Sequence, residues 1–461
     1  MSHTDSSPRR SLQGPTWFAE GLTQHWRAVV LAAAAAGFVV RLAFGSVYWV
    51  DKPLTHDELE YLTLGRNLSI GKGFTYNAPA PQSAETPPQQ FGRAPGYPVF
   101  LALVSVFDPL PADPRTVPAS VKVAQAVVGS LGILLIGALA GRVAGPGAGA
   151  VAAVIACAYP PLVWICAYAL SEALYSVLAL LTVFALGSFV DRVSARAVAM
   201  PAVGGAVLAG LVAGLAALTR PVLVLFLGLY TVWLAAHRLR WHAAAFIVGV
   251  AAVVGPWTVR NAHEYGRFVL IAPQAGVNFW IGNHPLARGE GDLAANPLLK
   301  AADIELRRRH RDLNAAELEP IYYREAIAEI AADPVRWLGL LVRKFVYQWI
   351  PVGPSYRLHS VRYYAASLVS YAVVFPFAVA GLIQLCRQRR PPGSLLVLAG
   401  AEVLASLIFF PQERYRIPVI DPTLIICAAA WVSMRGTVCQ ENGVTDGSVI
   451  RGTGPEGPAP G

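Results

Sequence analysis

The chain has 461 residues, 55% of them apolar and only 14% charged, with a mean hydropathy of +0.48. About a quarter of the residues of a soluble domain are charged, so an ordinary water-soluble protein is excluded. Lys and Arg total 37 against 28 Asp and Glu, a net charge of +9. No basic tract sits in a soluble stretch, so this excess points to membrane topology and not to nucleic acid.

In chain order, about ten apolar runs are long enough to cross a bilayer, roughly 28–50, 118–143, 148–168, 171–190, 199–218, 221–236, 243–259, 363–386, 394–411 and 417–434. The prediction is an all-α polytopic membrane protein. The first run is too long for a signal-peptide core and no small-residue cleavage site follows it, so it reads as an anchor. Arg9, Arg10, Arg27, Arg142, Arg192, Arg196, Arg238, Arg240, Arg387, Arg389, Arg390 and Arg435 recur on one side, which makes both termini cytoplasmic. Two long connections, about 51–117 and 260–362, then fall outside. The stretch 337–352 carries Arg343-Lys344 and reads as an amphipathic surface helix, not a span. Residues 1–25 and 435–461 read as disordered tails flanking one membrane domain, 26–434. The five cysteines, Cys157, Cys166, Cys386, Cys427 and Cys439, lie in or beside apolar runs without metal spacing and read as buried small hydrophobes.

The first outer loop concentrates ionisable groups. THDELEYLTLGRNLSIGKG (55–73) predicts a helix with Thr55 as N-cap, Glu58 completing a capping box and Gly71 ending it. Leu59, Leu62 and Leu68 fall roughly on one side, as in a helix resting on the bilayer. Asp57 and Glu58 sit in its first turn, and two readings stay open. The acids can simply cap the helix and favour its dipole, or one can accept a proton from an incoming hydroxyl. His56 beside them is a weak metal signature. Further on, GRAPGYPVFLALVSVF (92–107) predicts a second surface helix, with Arg93 in the turn before it as either a phosphate ligand or a snorkelling interfacial charge.

Other arginines break the positive-inside pattern. Arg220 in LTRP, Arg260 in PWTVRN, and Arg414 and Arg416 in ERYRIP all map to the outer boundary. Guanidinium pairs bidentately with phosphate, so together with Arg93 these arginines are candidate ligands of a lipid phosphate. Glu172 in LSEALY lies in a tight outer turn, and Asp421 can neutralise one arginine; internal pairing competes with ligand binding for both. Arg41 and Glu402 lie deeper within spans and read as pairing structurally, not as reacting groups.

A carboxylate facing several arginines suits one chemistry. A sugar linked through a lipid phosphate already has a good leaving group, which calls for cations more than for a proton donor. The acceptor hydroxyl needs a general base. One base opposite a cationic leaving-group site implies direct displacement with inversion, whereas a pair of carboxylates suits hydrolysis. No GxxxxGK[ST] occurs and no Rossmann-like GxGxxG follows a strand, so a cytosolic nucleotide site has no support. No DxD occurs, and Glu290-Gly291-Asp292 is only faintly metal-like.

The run HDELEY, GKGFTYN, RAPGYPVFLAL, LSEALY, LTRP, PWTVRN, GVNFWIGN and ERYRIP resembles the GT-C superfamily of membrane glycosyltransferases, in the branch of protein O-mannosyltransferases and lipid A aminoarabinose transferases. The resemblance covers about residues 28–430. It implies a multi-span enzyme of a bacterial inner membrane, acting at the outer face on a polyprenyl-phosphate-linked sugar. By position, Asp57 matches the family's acidic catalytic residue with Glu58 beside it, and Glu172 a second acidic position. Arg93 stands where aminoarabinose transferases carry a Lys-Pro-Pro-like phosphate-binding stretch, here Arg-Ala-Pro. The large soluble C-terminal domain of some relatives has no counterpart here. The acceptor can therefore be a protein, a lipid or a glycan, and a divalent metal stays open.

In the second loop, GVNFWIGNHP (276–285) gathers Asn278, Trp280 and Asn283. Stacking faces and amides recognise sugars, so these three join Tyr61 and Glu172 as substrate-binding candidates, with a buried turn anchored by Trp280 as the competing reading. ADIELRRRHRDL (302–313) reads as a solvated charged helix. Two other classes are open, a lipid-linked-sugar transporter or flippase and a non-catalytic subunit of an envelope polysaccharide assembly. A transporter calls for inverted repeats and paired midplane charges, and neither is evident here.

Overall fold

The structure is a computed structural model that describes residues 24–76, 92–194, 199–351, 353 and 360–447. Every regular element among the described residues is helical. The bundle consists of α1 (Trp26–Ala43, continued by a π turn Phe44–Tyr48), α4 (Ala119–Ala144), α5 (Pro146–Ala158) with α6 (Pro160–Trp164), α7 (Glu172–Ser194), α8 (Ala199–Thr219), α9 (Leu223–Ala236), α10 (Arg240–Tyr265), α15 (Val361–Arg387), α16 (Gly393–Ile408) and α18 (Ile420–Gly447). The first connection contributes α2 (His56–Ser69) and α3 (Gly96–Val104). The second contributes α11 (Ala275–Asn283), α12 (Pro297–Arg309), α13 (Ala315–Ala332) and α14 (Pro334–Trp349), and a short α17 (Glu413–Arg416) precedes α18.

Each expected apolar run except 148–168 overlaps one of these helices. Four of them, Trp26–Tyr48, Ala119–Ala144, Arg240–Tyr265 and Val361–Arg387, are long and apolar enough to cross a membrane, and shorter apolar helices fill the spaces between. The 148–168 run departs from a straight span. It breaks at Tyr159 with a bend of 64°, because Pro160 and Pro161 lack N–H groups and push the preceding residue out of the helical region. Leu31, Val39, Leu208, Val232, Val248 and Val369 remain exposed around the bundle, as in a belt facing lipid.

Between helices, close approach depends on small residues. A Cβ on Gly210 would lie 2.2 Å from the Phe246 carbonyl oxygen, and one on Gly249 would lie 2.3 Å from that of Val207. Only glycine lets the α8 and α10 backbones pack so tightly, the usual solution where lipid gives no hydrophobic drive between helices.

Two further cores seat the connections. Tyr61 and Leu62 of α2 pack with Tyr97 and Leu101 of α3 and with Val121, Ala169 and Leu170 of the bundle. Leu62 is therefore buried in protein, and of the three leucines expected to rest on lipid only Leu59 is exposed. Trp280, Leu299, Leu306, Leu318, Tyr322 and Phe410 centre the subdomain of α11–α14. Within it α14 has the amphipathic character read from 337–352. Leu340, Lys344 and Gln348 face inward, and Val335, Leu338, Val342 and Phe345 face out.

The charged stretch 302–313 is not wholly solvated. Asp303 and Arg307 form a buried ion pair at 3.0 Å, and Tyr322 donates to Asp303 at 2.7 Å. Of the cysteines, Cys166 and Cys427 are buried, but Cys386 is exposed at the end of α15. Residues 1–23 and 448–461 of the expected tails lie outside the described residues, and α18 runs through Gly447.

Candidate active site

The site begins with the cap of α2. Thr55 Oγ1 accepts from the Glu58 amide at 3.4 Å, and Glu58 Oε2 accepts from the Thr55 amide at 2.8 Å, which is the predicted capping box. The other Glu58 oxygen accepts from the Ala169 amide at 3.0 Å. Glu58 is thus committed to structure, pinning the first turn of α2 against the turn that precedes α7. That turn is held from behind by Gln125 of α4, whose amide nitrogen reaches the Tyr168 and Leu170 carbonyls, each at 2.9 Å.

With α2 fixed there, Asp57 and Glu60, three residues apart, share a face. Arg93 meets both. Its Nη2 donates to Asp57 Oδ1 at 2.5 Å and also to Glu60 Oε2, while its guanidinium lies 5.2 Å from the Tyr61 ring centroid. Arg414 of α17 reaches Asp57 Oδ2 at 2.8 Å and stands 3.9 Å from Glu172 Oε1. Arg220, just past α8, contacts that same Glu172 oxygen at 2.8 Å and donates to Ser171 Oγ at 3.3 Å. The Tyr415 ring lies 4.9 Å from the Arg220 guanidinium and 5.2 Å from that of Arg414. Acids and guanidiniums therefore alternate: Glu60, Arg93, Asp57, Arg414, Glu172, Arg220.

The groups are graded in exposure. Glu172 is buried, whereas the side chains of Asp57 and Arg414 keep 24% and 32% of their surface, so the row is accessible from that end. Burial alone would raise the Asp57 pKa, but the fields and hydrogen bonds of Arg414 and Arg93 outweigh it and hold the carboxyl well below the usual range. Burial pushes Glu60 up, and Arg93 offsets only part of that. Of the two carboxylates on Arg93, Asp57 keeps its charge more firmly. Glu172 Oε2 is buried without a partner and Glu172 lines, with Arg41 and Ser176, a cavity of about 20 Å³, room for about one water.

The remaining expected residues lie elsewhere. Arg260 on α10 sits 3.6 Å from Glu264 and stacks over Trp257 at 5.0 Å and Phe74 at 5.8 Å. Arg416 turns inward to Asp421 at 2.8 Å and lies 4.1 Å from the Tyr371 ring centroid. Asp421 thus neutralises one arginine, as expected. Trp280 is buried and donates to Glu325 at 3.2 Å. Asn283 joins the subdomain to the bundle, donating to the Ile408 carbonyl at 2.9 Å and accepting from Trp337 at 2.9 Å and Lys344 at 3.1 Å. Asn278 is half-buried on the same helix. Tyr61 is in the site, with its hydroxyl 3.5 Å from Ser171 Oγ. Arg41 and Glu402 do not pair with each other: Arg41 donates to the Gly37 and Ala156 carbonyls, and Glu402 accepts from Tyr175.

Sequence reasoning missed Glu60, Ser171 and Tyr415. Glu60 carried a usable signal, since a helical acid three residues after Asp57 must share its face. Ser171 and Tyr415 stand beside singled-out residues, and only the fold brings them together.

A divalent ion would meet the same groups. His56, Asp57 and Glu60 offer ligand atoms within 4.8 Å of one another, with His56 Nδ1 3.8 Å from Glu60 Oε2. An ion needs each donor at about 2.0–2.2 Å. The space between the two carboxylates is filled by Arg93 Nη2, and both Asp57 oxygens already accept from guanidiniums. As arranged, the residues do not fit a metal.

No family model matches the sequence, and no curated protein matches it. Solved structures do match. The archaeal oligosaccharyltransferase AglB from Archaeoglobus fulgidus, in complex with an inhibitory peptide and a dolichol-phosphate, aligns with 95% of this chain and 53% of its own at 13% identity, with a TM-score of 0.52. The same enzyme in complex with Zn and sulfate aligns with 92% of this chain and 51% of its own at 13% identity, TM-score 0.53. ArnT from Cupriavidus metallidurans, bound to undecaprenyl phosphate, aligns with 93% of this chain and 81% of its own at 16% identity, TM-score 0.40. The chain shares the fold of AglB, and its motifs resemble those of the GT-C membrane glycosyltransferases. It spans about half the length of AglB.

Proposed function

We propose that this chain is an integral-membrane glycosyltransferase that moves a sugar from a polyprenyl-phosphate carrier to an acceptor hydroxyl, with inversion, at the outer face of the membrane. The observation that carries the reading is the bridging of Asp57 by two guanidiniums, Arg93 and Arg414, with Arg220 one carboxylate further on. Cations gathered beside one ionised, partly accessible carboxylate are what displacement at a sugar–phosphate bond requires. The fold shared with AglB, which is solved with a dolichol-phosphate, supports a lipid-phosphate donor.

In this mechanism Arg93, Arg414 and Arg220 grip the carrier phosphate while its chain stays in the lipid. Asp57 accepts the proton of the acceptor hydroxyl. The acceptor oxygen bonds to the anomeric carbon as the bond from that carbon to the phosphate oxygen breaks. The electron pair leaves with the carrier phosphate, whose charge goes from −1 to −2 and is stabilised by the arginines. Tyr61 and Tyr415 keep the guanidiniums in place, and residues 26–434 form the catalytic domain.

Purified protein incubated with polyprenyl-phosphate-linked sugars is expected to release carrier phosphate and a glycosylated product. Mass spectrometry of envelope lipids and glycans, with and without the protein, then identifies sugar and acceptor as a difference of one glycosyl unit. Carrier moved across the bilayer without release of phosphate would refute glycosyl transfer.

A further inference from the structure

Arg93 occupies the one place among the described residues where His, Asp and Glu side chains gather closely enough to hold a cation. Its Nη2 touches both carboxylates at once, Asp57 Oδ1 at 2.5 Å and Glu60 Oε2. Arg414 takes the other Asp57 oxygen at 2.8 Å. A divalent ion entering here would have to evict a guanidinium from two carboxylates and then sit beside a second one. We propose that Arg93 is the resident cation of this site, standing where a divalent ion would stand, and that transfer proceeds without a metal. This rests on the glycosyl-transfer reading for the reaction, but not for the cation.

The charge balance of the reaction agrees. Glu60, Asp57 and Glu172 face Arg93, Arg414 and Arg220, so the row is neutral when all six groups are ionised. During transfer Asp57 gains the acceptor's proton and loses its negative charge. In the same step the departing carrier phosphate gains one. Arg93 and Arg414, shared between the two, meet a constant anionic charge throughout and need only tilt from carboxylate to phosphate. The step thus closes with no added divalent charge, and the fixed guanidiniums need little reorganisation as it occurs. Planar guanidinium also suits this exchange, because its fork can hold a carboxylate oxygen and a phosphate oxygen together.

Two measurements test this separately. Wild-type protein stripped with EDTA and assayed with a polyprenyl-phosphate sugar is expected to turn over within about twofold of untreated protein, whereas a Lewis-acid site would lose about a hundredfold or more in rate. Independently of turnover, Mn²⁺ titration followed by electron paramagnetic resonance is expected to find no stoichiometric site in wild type. The Arg93→Met variant, whose carboxylates are freed of the guanidinium, is expected to gain one, with affinity at least about tenfold above wild type, as oxygen-rich sites suit this ion. His56→Ala is expected to leave transfer within about threefold, since without a metal to ligate the exposed His56 gives up only a 3.8 Å contact with Glu60.

The proposal is overturned if wild type binds one Mn²⁺ that Glu60→Gln removes, or if EDTA abolishes transfer and Mn²⁺ restores it. Loss of activity in His56→Ala, or failure of Arg93→Met to gain a site, counts equally against it. Should no carrier support turnover by wild type, glycosyl transfer fails and the Mn²⁺ comparison still decides the cation.

Discussion

Replacing Asp57 by Asn separates binding from chemistry in this site. Asn keeps the shape and one acceptor oxygen but cannot take a proton, and losing a general base costs about 10²- to 10⁴-fold in rate. The same change removes a negative charge that competes with the carrier phosphate for Arg93 and Arg414. At a separation of about 6 Å and an effective dielectric of about 20, that repulsion is on the order of 3 kcal/mol. Asp57 and Arg414 are 24% and 32% exposed, so screening reduces the figure to about 1 kcal/mol, or roughly five- to tenfold in affinity. The variant is therefore expected to bind polyprenyl phosphate more tightly than wild type while transferring at least about a hundredfold more slowly. Equilibrium binding of the carrier and single-turnover transfer, measured on the same preparations, decide the matter. If the variant keeps transfer within about tenfold, or loses carrier affinity together with transfer, Asp57 is not the base described here.

Three further outcomes follow from the same geometry. Arg414→Gln and Arg416→Gln, two residues apart, are expected to fail differently. The first weakens carrier binding about tenfold or more with little change in melting temperature, whereas the second strands buried Asp421 and costs about 3–5 kcal/mol of stability. Gly282→Ala places a Cβ 1.8 Å from the Phe409 carbonyl oxygen. It is expected to lower stability by about 1–3 kcal/mol and to increase proteolysis within 262–360, both measurable in detergent. Lys344 is buried in the subdomain joint, and burial pulls its pKa down to about 7. Below pH 7 both folded and unfolded chains hold the proton and the burial penalty is felt in full. From pH 7 toward 10 the unfolded chain binds it and the folded one does not, so stability rises by up to about 1.4 kcal/mol per pH unit. Melting curves from pH 6 to 9 are expected to climb for wild type relative to Lys344→Met, and parallel curves refute the assignment.

Apolar run length places the helices of the bundle, because a segment surrounded by lipid must satisfy its backbone within itself. Local chemistry was legible in the same way. The Thr55–Glu58 box depends on residues three apart, and its geometry is as the sequence indicates. What spacing along the chain cannot settle is which boundary charges share a site. Arg414 and Arg416 are nearly adjacent, yet one faces Asp57 and the other turns inward to Asp421. Glu58 and Asp57 are neighbours, yet one is consumed by a cap and by Ala169 while the other faces two guanidiniums. Asn283 and Trp280 read equally as sugar ligands or as a buried turn, and the fold buries both, with Asn283 hydrogen-bonded to the Ile408 carbonyl and Trp280 to Glu325. In each case long-range packing directs the side chain. The burial of Leu62 and Tyr97 in a shared core fixes how α2 is rotated, and that rotation decides which carboxylates meet Arg93, a contact made across 36 residues of chain.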